Sequence, residues 1–135
     1  MRAAIDTGAL LALASSRDQY HHRAVATERS YRAAGGRWVG SMLVLGELHG
    51  HLLRRLSPAV ARRTISVLLK DPAFEWHDAS VELVSGALDR WLTRFADQAF
   101  SLTDGVTFEL MRTEKISAAF AYDQHFVTAG YTLLN

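Results

Sequence analysis

Short strands alternating with helical runs predict an α/β domain on a central, mostly parallel sheet of four to five strands flanked by helices. Three observations carry that reading. Apolar residues recur at helical spacing along most of the chain, and brief apolar β-type runs separate these helices. Acidic residues stand where one pattern gives way to the next. With 135 residues, no internal repeat and no linker, residues 1–135 read as one domain able to bury a core. A composition 49% hydrophobic and 21% charged belongs to globular proteins.

The first strand is read at Arg2 to Ile5, with a helix from Gly8 to Ala14 after it. A second helix runs from Gln19 to Ala34 and stops at Gly35-Gly36, because glycine tolerates the left-handed turn that ends helices. Arg37 to Gly40 is the second strand. Ser41 is placed to cap a helix from Ser41 to Leu53, in which Gly46 and Gly50 read as packing residues. Pro58 opens the next helix, closed near Asp71-Pro72. Ala73 to His77 forms a third strand, Ser80 to Phe95 a long helix and Thr103 to Glu114 another. Ile116 to Tyr122 is the fourth strand and Tyr131 to Leu134 a short fifth at the edge.

Net charge is only +1, so no global basic field marks a nucleic-acid binder. Local charge is more informative. Arg54, Arg55, Arg62 and Arg63 cluster across Ser57-Pro58, and all but two of the fifteen basic residues are Arg, whose planar fork clamps phosphate. The absence of cysteine excludes disulfide scaffolds, thiol catalysis and Cys-type zinc sites, and fits the cytoplasm. No apolar run approaches the roughly 20 residues a membrane-spanning helix needs, and the N-terminus does not read as a signal peptide.

Four acids draw the chemistry together: Asp6, Glu47, Asp104 and Asp123. Asp6 and Asp123 end strands, Asp104 starts a helix, and parallel sheets bind ligands outside the carboxyl ends of their strands. Glu47 sits among Met42, Leu43, Val44, Leu45, Leu48, Leu52 and Leu53, where an unpaired carboxylate is costly. Four such groups brought together repel unless a cation lies between them, so a divalent metal site is the first expectation. Asp6-Thr7-Gly8 also matches the aspartic-protease triplet, but here it opens a helix rather than a β-rich fold. Haloacid-dehalogenase-like phosphotransfer needs a second acid where Gly8 stands, and receiver domains need an acidic pair and a late Lys that are not evident. His49 and His51 follow Glu47 in the wrong order for a His-Glu-x-x-His zinc site. His21-His22 reads as solvated surface.

The assembled motifs resemble PIN-domain nucleases. The stretch Ile5-Asp6-Thr7-Gly8-Ala9-Leu10-Leu11 resembles that family's first motif, and helical Glu47-Leu48 its second. Ser101 to Arg112 is similar to the third motif of bacterial VapC-type toxins, and Ala119 to Phe126 to the segment closing the same active site. The resemblance spans the chain and leaves only the region between Gly50 and Trp91 generic.

It implies a Mg²⁺- or Mn²⁺-dependent endoribonuclease with an RNA substrate, a homodimer, and inhibition by a cognate antitoxin. Phosphodiester hydrolysis needs an activated water and neutralised charge, which carboxylate-held Mg²⁺ supplies. On this reading Asp6 and Asp104 are direct ligands, and Glu47 and Asp123 complete the shell or orient the water. Thr7 and Thr103 support them, and Arg54, Arg55, Arg62 and Arg63 form an RNA or antitoxin surface. A catalytically silent PIN-like module that binds RNA or protein, and a small phosphatase, are the rival expectations.

Overall fold

Parallel strands cannot be joined by tight turns, so each strand but the last is followed by at least one helix that carries the chain back across the sheet. The computed structural model describes every residue, Met1–Asn135. Strands β1 (Arg2–Ile5), β2 (Arg37–Ser41), β3 (Phe74–His77), β4 (Ala118–Phe120) and β5 (Thr132–Leu134) form one sheet in the order β3-β2-β1-β4-β5. Every pairing is parallel, with Ala3 opposite Trp38, Gly40 opposite Trp76, Ile5 opposite Phe120 and Ala119 opposite Leu133. The order grows leftward from β1 through β2 and β3, then rightward through β4 and β5. The switch point therefore falls between β1 and β4.

Seven helices cover the two faces: α1 (Thr7–Ala14), α2 (His21–Ala33), α3 (Met42–Arg55), α4 (Pro58–Lys70), α5 (Val81–Ala87), α6 (Leu102–Thr113) and α7 (His125–Thr128). Alternation along the strands assigns the two cores. Ala3, Ile5, Trp38 and Phe120 pack with Leu10, Ala24, Leu48 and Leu52 on one side. Ala4, Val39, Ala119 and Ala121 pack with Phe108, Met111 and Phe126 on the other. Trp38 is wholly buried, and Trp76 and Trp91 are partly buried with their ring N–H groups bound to Leu68 O and the Glu109 carboxylate.

Local rules explain most boundaries. Ser57 and Ser80 accept hydrogen bonds from Val60 N and Leu83 N, both at 3.1 Å, and so cap α4 and α5. Gly35 takes a positive φ of 82° just beyond α2, a conformation that costs glycine nothing.

Several elements depart from expectation. The helix predicted from Ser80 to Phe95 is α-helical only to Ala87 and continues as π-helical turns over Leu88–Thr93. There Arg90 and Trp91, adjacent in sequence, both reach the carboxylate of Glu109 on α6. Gly86 allows that approach, because a Cβ at this position would collide with the Glu109 carboxylate. Strand β4 is shorter than Ile116 to Tyr122 because Asp6 spends its N–H on Phe120 O at 3.0 Å and then turns into α1, leaving nothing further to pair. The helix α7 was not foreseen. Ser41 precedes α3 but its hydroxyl makes no capping bond. Gly46 and Gly50 do not admit a neighbouring backbone: open space lies above Gly46, and at Gly50 the Arg54 guanidinium folds back over the helix. His21 is half-buried and bonded to Ala12 O at 2.7 Å, so only His22 belongs to the solvated surface.

Candidate active site

The chain leaves β1 at Ile5 and β4 at Phe120, which diverge at the switch point and open a groove between the loops that follow. Asp6 starts the first loop as the residue before α1, and Asp123 belongs to the second, three residues past β4 rather than at its end. Glu47 projects from the second turn of α3, and Asp104 from the first turn of α6. All four line one groove of about 540 Å³, together with Thr7 and His125.

No Lys or Arg lines that groove. The electrostatic result falls on Asp6: burial, then the charge of Asp104, then Glu47 and Asp123 push its carboxyl up to about 7, against the opposing hydrogen bond from the Thr7 backbone. Glu47 is half-buried and takes part in no hydrogen bond or ion pair with the protein.

Asp104 serves two ends at once. Its Oδ2 accepts from Ser101 N at 3.0 Å while Ser101 Oγ accepts from Asp104 N at 3.0 Å, a reciprocal capping box that fixes the carboxylate at the mouth of α6. Its Oδ1 takes no protein hydrogen bond. Capping and groove-lining are thus both true of this residue. His125 Nδ1 lies 3.4 Å from Asp104 Oδ2 and 3.4 Å from Asp123 Oδ2, and Asp123 Oδ1 accepts from His125 N at 2.9 Å. A histidine thus spans two of the four acids.

Thr7 is buried with its hydroxyl unpartnered at the edge of the groove. An orphaned donor beside carboxylates that lack a counter-charge is the donor set a hydrated hard cation and its phosphate ligand would satisfy. The residues present fit such an ion. Thr103 does not line the groove; its carbonyl accepts from the Thr107 hydroxyl at 3.0 Å.

The arginines divide. Arg54, Arg55, Arg62 and Arg63 are all exposed, on the last turn of α3 and on α4. Of these only Arg55 lines a hollow, and it does so beside Arg17.

Sequence reasoning passed over Asp18, Tyr20, His51 and Tyr122, which also line the groove. His51 had a signal, since it stands four residues after Glu47 and so on the same helical face. Tyr20 and Tyr122 stack at 4.2 Å and 5°, a pairing across the molecule that has no local signature. A different trio, Glu75, His77 and Glu114, brings ligand atoms within 4.8 Å of one another. Arg2 already occupies it, donating to Glu75 Oε1 and Glu114 Oε1 at 2.7 Å each. One guanidinium thus bridges both carboxylates of that cluster from within the fold.

Known structures share this architecture. VapC20 of Mycobacterium tuberculosis, a toxin described as cleaving the sarcin–ricin loop, is similar over 96% of this chain and 96% of its own, with a TM-score of 0.84 and 26% identity. VapBC2 of Rickettsia felis, solved bound to a DNA fragment from its promoter, has a TM-score of 0.70 at 14% identity and covers 98% of this chain and 97% of its own. FitAcB of Neisseria gonorrhoeae gives 0.70 at 15%, over 100% of this chain and 97% of its own. The latter two identities speak for the fold alone. No family model and no curated protein matches the chain. The neighbours are PIN-domain components of toxin–antitoxin systems, and the all-parallel sheet found here is theirs. No helix is long and apolar enough to cross a membrane.

Proposed function

We propose that this chain, built on the fold of the VapC-type PIN-domain toxins, is a metal-dependent endoribonuclease that hydrolyses phosphodiester bonds in RNA. The observation that carries the proposal is the convergence of Asp6, Glu47, Asp104 and Asp123 on a groove with no Lys or Arg in its wall. The likeness to VapC20, itself described as a toxin that cleaves the sarcin–ricin loop, supports a nuclease.

Asp6 and Asp104 are the residues to hold Mg²⁺ or Mn²⁺ directly, because both sit at chain turns where a carboxylate oxygen remains free of protein donors. When bound, such an ion neutralises phosphate charge and acidifies water. Glu47, free of any protein partner, and Asp123, the most exposed of the four, are suited to orient the attacking water. Asp123 holds the His125 backbone N–H, so that His125 stays over the groove. The unpartnered Thr7 hydroxyl is placed to donate to a phosphate oxygen.

The catalytically silent module has no observation in its favour, since every acidic position is filled. A haloacid-type phosphatase lacks its second acid: Gly8 has open access to Asp6 Oδ2, and a Cβ there would stand 3.5 Å from it.

As a toxin the chain would act in the cytoplasm and be held in check by an antitoxin protein, in line with the toxin–antitoxin assemblies among its structural neighbours. Arg54, Arg62 and Arg63 offer that partner an exposed basic face. Leu53, Leu56, Val67 and Leu69, exposed along α3 and α4, give a second copy of the chain an apolar surface to cover.

The test is direct. Purified chain is incubated with a mixed RNA pool and Mg²⁺ or Mn²⁺, beside Asp6→Asn and Asp104→Asn. Cleavage that needs metal and vanishes in both variants is the expected result. RNA left intact by the wild-type chain under all metal conditions would remove the nuclease reading.

A further inference from the structure

We infer that an unpaired RNA strand leaves the carboxylate groove along a trough whose far end is clamped by Arg17 and Arg55. This rests on the nuclease reading above and adds to it the path of the substrate.

Three hollows join end to end. Leu11 and Asp18 line both the carboxylate groove and a second hollow of about 220 Å³, which Ser15, Arg17, Arg55 and Leu56 complete. The last four of these also line a third hollow of about 460 Å³, reached past Ser16 and Val60. The trough therefore runs from Asp6 through the loop between α1 and α2 to the junction of α3 and α4.

Charge reverses along its length. At one end stand the four carboxylates without a Lys or Arg. At the other, Arg17 and Arg55 face a common space whose one acid, Asp18, is already engaged by Tyr20 N at 2.8 Å. The arginine ion pairs of this molecule are made by Arg2, Arg32, Arg90 and Arg112. Arg17 and Arg55 make none. Two guanidiniums against the single Asp18 carboxylate leave this end positive, as the acids leave the opposite end negative, and each end lacks what a nucleotide chain with its metal would bring. The planar forks suit phosphate oxygens, and the hydroxyls of Ser15 and Ser16 suit phosphate or 2′-OH groups.

The experiment measures binding of a 5′-labelled oligouridylate of about twelve nucleotides by anisotropy, in an Asp6→Asn background, across a salt series. Each lost phosphate contact on a single strand lowers the slope of log K against log salt by about 0.7. Arg17→Ala/Arg55→Ala should therefore flatten the slope by about 1.4 and weaken binding. Arg29→Ala/Arg37→Ala, a control of equal charge at exposed positions outside the trough, should leave the slope unchanged. Arg17→Lys/Arg55→Lys should keep the slope and bind more weakly, which a folding defect would not produce. In the cleaving chain, Arg17→Ala/Arg55→Ala should raise KM with little change in kcat. Equal slopes for the trough and control variants would overturn the inference, as would loss of binding to an acidic protein partner with RNA binding intact. If the wild-type chain cleaves nothing but the slope still falls, the nuclease reading fails and the trough stands. If it cleaves and the slope does not move, the trough alone fails.

Discussion

Two carboxylates of this molecule, Glu109 buried and Asp6 half-buried, are treated in opposite ways. Glu109, 3% exposed on α6, is met by Arg112 Nε at 2.9 Å, Arg90 Nε at 3.1 Å and Trp91 Nε1 at 3.2 Å. Burial works to raise its carboxyl, but the bonds from Arg112, Arg90 and Trp91 outweigh it and hold the group below the usual range. Asp6 is met by three other acids and no cation, and rises to about 7. A fold that can place two arginines on one buried acid has no general difficulty in neutralising charge. The groove is left uncompensated where the proposed metal and substrate would enter, and Glu109 is compensated away from it. The acids at the groove are therefore read as functional and Glu109 as architectural.

The largest expected effect breaks the groove side of this contrast. Loss of a residue that merely supports a metal ligand costs about 10–100-fold in affinity or activity. Asp6→Asn and Asp104→Asn, which alter the ligands themselves, should each lower metal-dependent RNA cleavage by more than about 100-fold. Glu109→Gln should leave the cleavage rate per folded molecule within a few-fold of wild type.

Stability should respond with the reverse sign. Asp6 has a folded pKa of about 7 against an ordinary 3.8, so its favourable contribution is complete below about pH 4 and is lost as pH rises toward 7. In metal-free buffer at pH 8, Asp6→Asn should then be more stable than wild type by up to about 4 kcal/mol. Its melting temperature should also depend less on pH between 4 and 7. Glu109 titrates the other way. Its lowered pKa gives stability that is present above its ordinary range and lost as pH falls through the folded value. Glu109→Gln should cost about 2 kcal/mol at pH 7 and remove part of the acid-side loss seen by chemical denaturation. If both variants were destabilising by the same amount at pH 8, the contrast would collapse.

How much of this was open to the sequence depended on range. Strand starts, helix starts and the positions of the four acids follow from local pattern, because Gly35, Ser57, Pro58 and Ser101 act on their immediate neighbours. The convergence of Asp6, Asp104 and Asp123 also followed, since parallel topology sends them to one edge, whereas the sequence only permitted Glu47 to join them and the packing of α3 places it there. What failed was set by partners distant in the chain. The π-turns over Leu88–Thr93 accompany contact with Glu109, and β4 is cut short by β1 turning away at Asp6. Arg17 stood outside the arginine cluster at Arg54 to Arg63, yet the α1–α2 loop brings it to Arg55. Thr103 illustrates the opposite error. Adjacency to Asp104 suggested a role, but one residue along a helix turns a side chain by about 100°.

Metal should sharpen the contrast further. An ion bound among the acids stabilises the folded state alone, by about 3 kcal/mol at a hundredfold excess over Kd. Protons compete for the same oxygens, so the rise in melting temperature with Mn²⁺ should be greater at pH 8 than at pH 5. The gain should vanish in Asp6→Asn and persist in Glu109→Gln. A melting temperature indifferent to Mn²⁺ at pH 8 would detach the acidic groove from metal altogether.

The smallest effect isolates a single hydroxyl. Thr7 is buried and its Oγ1 has no partner, so in the free protein the group pays desolvation without a hydrogen bond in return. Thr7→Val keeps the shape of the side chain and removes that burden, and should stabilise the metal-free fold by about 1 kcal/mol. If the hydroxyl donates to the scissile phosphate, the same change should slow cleavage by several-fold, the rate equivalent of about 1 kcal/mol. A substitution that gains stability and loses rate is the signature of a group kept for its ligand. One that gains stability at unchanged rate would place Thr7 beside Glu109, among the residues that only build the fold.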